Sequence, residues 1–90
     1  MKFLVTWSWP CENSKEVRER FAKWKPVEGT KFLFPIHSLV GKNSAFTITE
    51  GDSIEQIVKN VETWTDICTY EIIPIIDSRE LGKLRSSLQK

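Results

Sequence analysis

The stretch "KFLFPIHSLVGKNSAFTITE", residues 31–50, decides the fold. Two runs rich in β-branched and aromatic residues, 31–40 and 45–50, flank a turn of hairpin length at 41–44, which predicts two adjacent antiparallel strands. Pro35 lies inside the first run and indicates an edge strand or a bulge, because proline cannot donate to a central ladder. A hairpin at this point argues against a thioredoxin-like chain, which has a helix between its second and third strands.

Two further strands and three helices are predicted around this hairpin. Residues 2–9 alternate as a first strand that Pro10 ends, and residues 70–76 form a fourth strand. One helix is predicted before the hairpin and one after it, each with apolar residues at helical spacing. Their apolar stripes are Val17, Phe21 and Trp24, then Ile54, Ile57, Val58 and Val61, and a short C-terminal helix carries Leu81, Leu84 and Leu88.

Each predicted helix begins with a polar cap followed three residues later by Glu or Gln, the capping-box pattern. The cap in each case is a residue whose side chain accepts a hydrogen bond from the first turn. The three pairs are Asn13 with Glu16, Ser53 with Gln56 (Asp52 being the alternative cap), and Asp77 with Glu80.

The order of elements predicts an α+β, ferredoxin-like βαββαβ domain over residues 1–90, with an antiparallel four-stranded sheet, two helices on one face and a short C-terminal helix. One assignment by alternation gives two faces. It places beneath the helices Phe3, Val5, Trp7, Phe32, Phe34, Ile36, Phe46 and Ile48, and on the open face Leu4, Thr6, Ser8, Leu33, His37, Thr47 and Thr49. Because the open face is poor in charge, we expect a homodimer through the open sheet face.

Composition excludes several classes of function. Thirteen basic and twelve acidic residues are interspersed, which argues against a dedicated nucleic-acid binder. The aromatic residues are predicted to lie beneath the helices. This argues against RNA recognition by the open face, because that recognition needs stacking aromatics there. No apolar run approaches the ~20 residues of a membrane span, and "MKFLVTW" is too short for a signal peptide, so we expect no membrane contact and a cytoplasmic location.

The two cysteines, Cys11 and Cys68, form neither a disulfide framework nor a metal-ligand set, although one bridge between them is left open. Cys11 and Ser14 have the Cys-x-x-Ser spacing of a monothiol redox loop. A thiolate in such a loop is stabilised by the dipole at a helix N-terminus, but with Asn13 as the predicted cap, Cys11 lies outside the helix, where this effect is weaker. A copper-chaperone loop would have a second cysteine where Ser14 stands. No cofactor or metal site is predicted.

The sequence also resembles a known family. The segments that carry the resemblance are "KFLVTWS", "EGTKFLFPIHSL" and "WTDICTYEIIPIIDSRE". They resemble an uncharacterised prokaryotic family, domain of unknown function number three thousand three hundred and three, over residues 2 to about 80. The resemblance implies a ferredoxin-like protein of the dimeric α+β barrel superfamily, with no established activity. Its most specific positions are Thr6-Trp7-Ser8, His37, Trp64, Asp66, Glu71 and Pro74.

His37 and Asp66 are weak candidates for a catalytic role. His37 is suited to proton transfer near neutral pH, or it forms a hydrogen bond across the dimer interface. Asp66 faces a pocket, or it makes a local turn bond. Glu71 is a partner for His37 or a solvent-facing strand residue.

A ligand pocket between helices and sheet would have Trp7, Trp24, Trp64 and Tyr70 as candidate walls, with the alternative that Trp64 only continues the core stripe. Two hypotheses follow. The first is a small dimeric protein of unknown role that binds a small apolar or aromatic molecule. The second is a cofactor-independent, monooxygenase- or isomerase-like enzyme with a helix–sheet cavity.

Overall fold

The computed structural model describes residues 1–89, so that Lys90, the last residue of the predicted domain, lies outside the described residues. The four strands form one sheet in the order β2-β3-β1-β4, and each neighbouring pair is antiparallel. This is the predicted α+β, ferredoxin-like arrangement. The elements are β1 (Lys2–Ser8), a 3₁₀ turn (Cys11–Asn13), α1 (Ser14–Lys23), β2 (Lys31–Ser38), β3 (Ser44–Glu50), α2 (Ile54–Val61), a 3₁₀ turn (Glu62–Trp64), β4 (Thr69–Ile75) and α3 (Ser78–Leu88).

The edge strand β2 is irregular around Pro35, as its sequence predicts. Its register against β3 shifts between Phe32 and Phe34 and again between Phe34 and His37. The hydroxyl of Thr47 on β3 donates to the carbonyl oxygen of Phe34 between the two shifts. This side-chain bond gives the displaced carbonyl a partner that the ladder no longer supplies.

The predicted faces of the hairpin strands are partly wrong. Phe34, Phe46 and Ile48 lie on the open face, not beneath the helices. Thr47 and Thr49 lie beneath the helices, 0% and 2% exposed, not on the open face. Directly paired residues share a face, so the register between β1 and β3 decides the outcome. The deciding pairs are Phe3 with Thr49 and Val5 with Thr47.

The core lies between the sheet and the two helices that cover it. Its buried members are Phe3, Val5, Trp7, Val17, Ala45, Ile57, Val61, Trp64, Ile67 and Cys68. Helix α2 contributes Ile57 and Val61 from its predicted stripe, whereas α1 contributes only Val17. The first helix is therefore the more loosely attached of the two.

A buried polar side chain, Asn60, holds the connection between α1 and β2. Its Oδ1 accepts from the backbone N–H of Val27 at 2.6 Å, and its Nδ2 donates to Thr30 Oγ1 at 2.8 Å. Both bonds reach a segment that has no regular structure of its own. Asn60 therefore takes the place of an apolar residue on α2 because it satisfies loop groups that would otherwise be buried without partners.

Two of the three predicted caps are confirmed. Ser53 accepts from the N–H of Gln56 at 3.4 Å, and Asp77 accepts from the N–H of Arg79 at 2.7 Å. The predicted cap bond of Asn13 is wrong. Asn13 stands at the N-terminus of α1, but its Nδ2 donates to the carbonyl of Ile67 at 3.1 Å, so it joins the start of α1 to the segment before β4.

Helix α3 has no buried residue, and its predicted stripe is largely uncovered by the rest of the described chain. Leu84 is 49% exposed and Leu88 75% exposed. The radius of gyration is 15.4 Å, against about 12 Å for a compact domain of this length. The third helix thus leaves an apolar stripe open to solvent.

Within residues 1–89, no helix combines the length and the hydropathy that a membrane crossing needs.

Candidate functional site

A cavity of about 330 Å³ opens between α1 and one end of the sheet. All four tryptophans of the chain line it: Trp7 and Trp9 at the end of β1, Trp24 at the end of α1, and Trp64 after α2. The volume lies at the lower end of the range for small-molecule sites, about 300–1,000 Å³. Four tryptophans from three separate parts of the chain therefore converge on one concave surface.

Small side chains in the floor explain why this end of the sheet is not filled. Ala45 is paired with Trp7 on one side and with Ser38 on the other. Both small residues line the cavity, as does Ala22 on α1. Large walls over a floor of small residues leave a space that the helix does not close, since α1 buries only Val17.

The aromatic wall is held by ring-to-ring contacts. Trp24 meets Trp64 edge to face, with ring centroids 6.1 Å apart, and meets Phe21 in the same manner at 6.2 Å. Such pairs contribute about 0.5–1.5 kcal/mol beyond area burial. The Arg20 guanidinium carbon also lies 5.8 Å from the centroid of the Trp64 ring. Trp24 and Trp64 are thus each held by two neighbouring side chains.

Polar groups in the cavity wall are few. Arg18, Ser38 and Cys68 contribute, and among the described residues no carboxylate or imidazole lines the cavity. Burial raises the pKa of the Cys68 thiol, so this cysteine stays protonated near neutral pH and is a poor nucleophile. The walls are therefore suited to holding an apolar body and lack a proton carrier.

One buried polar atom of a lining residue has no partner. The Nε1 of Trp7 is a buried donor that has no acceptor among residues 1–89. Trp7 also borders a second cavity of about 10 Å³, roughly the size needed for a single water. By contrast, Trp9 Nε1 donates to Ser14 Oγ at 3.2 Å.

The predicted pocket residues divide into two groups. Trp7, Trp24 and Trp64 line the cavity together. Tyr70 does not line it, although it packs against the core from β4. Its hydroxyl donates to Glu62 Oε2 at 2.8 Å, and this bond raises the pKa of the phenol.

The two catalytic candidates lie elsewhere. His37 is exposed on the open face, where its ring stacks on Phe34 with centroids 4.5 Å apart and its Nδ1 lies 2.7 Å from the carbonyl oxygen of Pro35. Glu71 lies in the same row across the sheet, but β3 and β1 separate the two residues. Three strand spacings are about 14 Å, so the two do not pair within the chain.

Asp66 is the partner of an arginine that lies 46 residues earlier. Arg20 Nη1 donates to Asp66 Oδ1 at 2.7 Å, and Nη2 donates to Oδ2 at 3.0 Å. The same guanidinium bonds Glu16 at 2.8 Å and the carbonyl of Thr63 at 3.0 Å. The hydrogen bond from Arg20 lowers the pKa of the Asp66 carboxyl. Asp66 thus fixes α1 against the turn after α2, outside the cavity.

We expect an Asp66→Asn variant to lose stability near neutral pH and to lose little or none in acid. A carboxylate whose pKa is lower in the folded state stabilises the protein above its unfolded pKa, and this contribution disappears as the pH falls through the folded value, here below about 4. Asp66 is exposed and Arg20 is half-buried, so the effect is smaller than that of a core truncation. Urea unfolding at several pH values measures it.

The control is Asp52→Asn, since no ion pair among the described residues includes Asp52. Equal losses in the two variants at every pH would contradict the role of the Arg20 bond.

The comparison with protein families gives one result over nearly the whole chain. Residues 1–89 match the family described as a domain of unknown function, DUF3303. The chain belongs to the DUF3303 family. No curated protein and no solved structure gave a match.

The cavity of this DUF3303 protein contains residues that the sequence did not single out. Arg18 and the small residues Ala45 and Ser38 belong to it, and Trp9 completes the set of four tryptophans. The high tryptophan content was a usable signal, whereas no local pattern marks a small residue as the floor of a cavity.

Cys11 is exposed and Cys68 buried, and neither forms a disulfide. Among the described residues, no cluster of three His, Cys, Asp or Glu side chains could hold a metal ion.

Proposed function

We propose that this DUF3303 protein binds a small, largely apolar or aromatic molecule in the cavity between α1 and the sheet, and that it does so as a homodimer. The observation that carries the first part is the convergence of all four tryptophans on one open cavity of about 330 Å³. Large aromatic side chains with fixed ring contacts provide contact area at low conformational cost.

Binding is favoured over catalysis by the composition of the cavity wall. A cofactor-independent monooxygenase- or isomerase-like enzyme needs a proton carrier within hydrogen-bond reach of its substrate. His37 lies on the open sheet face and Asp66 is engaged with Arg20, so neither is at the wall. The Cys68 thiol is at the wall, but burial raises its pKa.

The homodimer is supported by the open face of the sheet, whose centre is apolar. Three strands of seven residues and one of eight give a face of about 19 by 24 Å, a footprint of roughly 450 Å². A standard interface buries about 800 Å² on each partner, and the uncovered leucine stripe of α3 would extend the contact toward that area. A second copy of the chain fits this face because it presents the same apolar centre. The residues of that centre are Leu4, Phe34, Phe46, Ile48 and Ile73.

Charge favours a protein partner over a nucleic acid on this face. The aromatic residues Phe34 and Phe46 do lie on this face. The prediction that they lie beneath the helices is therefore wrong, and so is the argument against RNA recognition that depended on it. The two lysines of this face, Lys2 and Lys31, are balanced by Glu50 and by Glu71 on β4, so the face holds no excess of positive charge. A phosphate backbone requires clustered positive charge.

The neutral fluorophore N-phenylnaphthylamine tests the cavity. We expect saturable binding that increases the probe's emission and quenches the protein's tryptophan emission, because all four indoles line the site. An Ala22→Phe variant adds a ring at the cavity wall, where it would occupy space that the probe needs. The variant should weaken binding by about tenfold or more, which corresponds to at least about 1.4 kcal/mol of binding free energy.

Glu19→Phe is the matched control, because it adds the same ring to α1 at an exposed position that does not line the cavity. The expected result is unchanged affinity in this variant. Equal affinity in all three proteins would overturn the proposed site.

A further inference from the structure

Arg18 is the only charged residue that lines the cavity in the described part of the chain. It follows buried Val17 on α1, and no ion pair among residues 1–89 includes it. Its neighbour on the same helix, Arg20, differs in this respect, because Glu16 and Asp66 engage its guanidinium. One arginine of the helix is thus committed to holding the fold, and the other is left at the cavity with its donors available.

The rest of the wall adds no negative charge. An arginine side chain donates hydrogen bonds and accepts none. Besides Arg18, the polar groups of the wall are the neutral Ser38 hydroxyl and Cys68 thiol, and no carboxylate of the described residues lines the cavity. A ligand oxyanion would therefore meet a positive charge at the wall and no opposing negative charge, and a neutral hydrocarbon would leave that positive charge unused.

We infer that the cavity selects an organic anion: a flat aromatic body that packs among the tryptophans and carries one carboxylate or sulfonate, which pairs with Arg18. This inference rests on the proposed binding function and specifies its ligand class. A guanidinium binds such oxyanions through two parallel hydrogen bonds. Arg18 is exposed, so water screens this pairing in part, and the fixed geometry of the two bonds adds to the attraction between the charges. Arg18 then determines the choice of ligand, and the tryptophans supply most of the contact area.

Two fluorophores with the same ring skeleton test the inference. Anilinonaphthalene sulfonate differs from N-phenylnaphthylamine by its sulfonate group. In an Arg18→Met variant, which keeps an apolar stem and removes the charge, we expect the affinity for the sulfonate to fall about tenfold or more. The affinity for the neutral probe should change less than about twofold. Arg18→Lys should restore part of the sulfonate affinity, since it restores the charge.

Lys23→Met is the matched control, because it removes one positive charge from the same helix at an exposed position that does not line the cavity. Its affinity for both probes should equal that of the wild type. A similar loss of sulfonate affinity in this variant would mean that the general charge of α1, and not Arg18, attracts the anion.

The remaining outcomes separate this inference from the proposed function. If Arg18→Met lowers the affinity for both probes equally, the arginine acts only through its apolar stem and the anion selectivity is refuted. Binding of the neutral probe alone by the wild type would also refute the selectivity while leaving the cavity site intact. Failure of the wild type to bind either probe would overturn both proposals.

Discussion

An Ile57→Ala variant is expected to lose about 3 kcal/mol of unfolding free energy. Ile57 is 1% exposed and comes from the strongest apolar stripe of the sequence, that of α2. Truncation of a buried isoleucine to alanine costs about 2–5 kcal/mol, from the transfer free energy of the deleted atoms and from the cavity left behind. A domain of this length has a total stability of roughly 5–13 kcal/mol, so the loss is a large fraction of it.

The surroundings of Ile57 predict that the hole will not close. Its side chain borders the small cavity of about 10 Å³ that Val5 and Trp7 also line. It also contacts the backbone at Gly51, where an added Cβ would lie 2.9 Å from Ile57 Cδ1. Sheet residues and a strand end form these walls, and neither moves easily into the space.

Urea unfolding followed by tryptophan emission measures the loss, at one fixed protein concentration because association would add to the apparent stability. The control is Ile54→Ala on the same helix, where the side chain is 46% exposed. We expect a loss below about 1 kcal/mol there, since alanine is also the better helix former. Equal losses in the two variants would contradict the orientation of α2.

The element order of this domain was predictable from the sequence because its signals are local. Hairpin length, strand alternation and two helical stripes each lie within a short window, and together they specify the βαββαβ order. Ser53 and Asp77 also marked two helix starts correctly. These features depend only on residues that are close together in the sequence, so they can be recognised without knowledge of the fold.

The register of the hairpin was not predictable in the same way. The alternation in β3 predicts that Phe46 and Ile48 are beneath the helices, but the register places them on the open face, and the two shifts in β2 changed which side Phe34 presents. A one-residue slip exchanges every side chain between faces. Thr47 and Thr49 are buried for this reason, and Thr47 uses its hydroxyl to complete the irregular strand.

The site was predictable only in part, because a cavity depends on contacts that are distant in sequence. Trp7, Trp24 and Trp64 stood out as large aromatics, but their convergence requires the fold. Asp66 could not be assigned to Arg20, 46 residues away, from any spacing rule. Neither interpretation considered for Asp66, a pocket residue or a residue with a local turn bond, included its long-range bonds to Arg20.

An Ile48→Lys variant is expected to convert the proposed homodimer to monomers. Ile48 lies on central strand β3 and is paired with Leu4 on one side and Phe34 on the other, at the middle of the open face. An unpaired charge buried in an interface costs about 3–5 kcal/mol, so the dissociation constant should rise about a hundredfold or more. In a monomer the same side chain would face water at little cost. Light scattering at micromolar concentration should give the 10.5 kDa mass of one chain for the variant and twice that mass for the wild type.

Two further variants locate the interface. Ile48→Val keeps the β-branched shape and should remain dimeric. Leu84→Lys places the same charge on the exposed stripe of α3, where we expect a smaller rise in the dissociation constant, because the sheet face supplies the larger share of the contact. If Leu84→Lys gives monomers while Ile48→Lys stays dimeric, the copies associate through α3 and not through the sheet. A wild type that is monomeric at micromolar concentration would refute the homodimer, and the apolar centre of the open face would then need a different occupant.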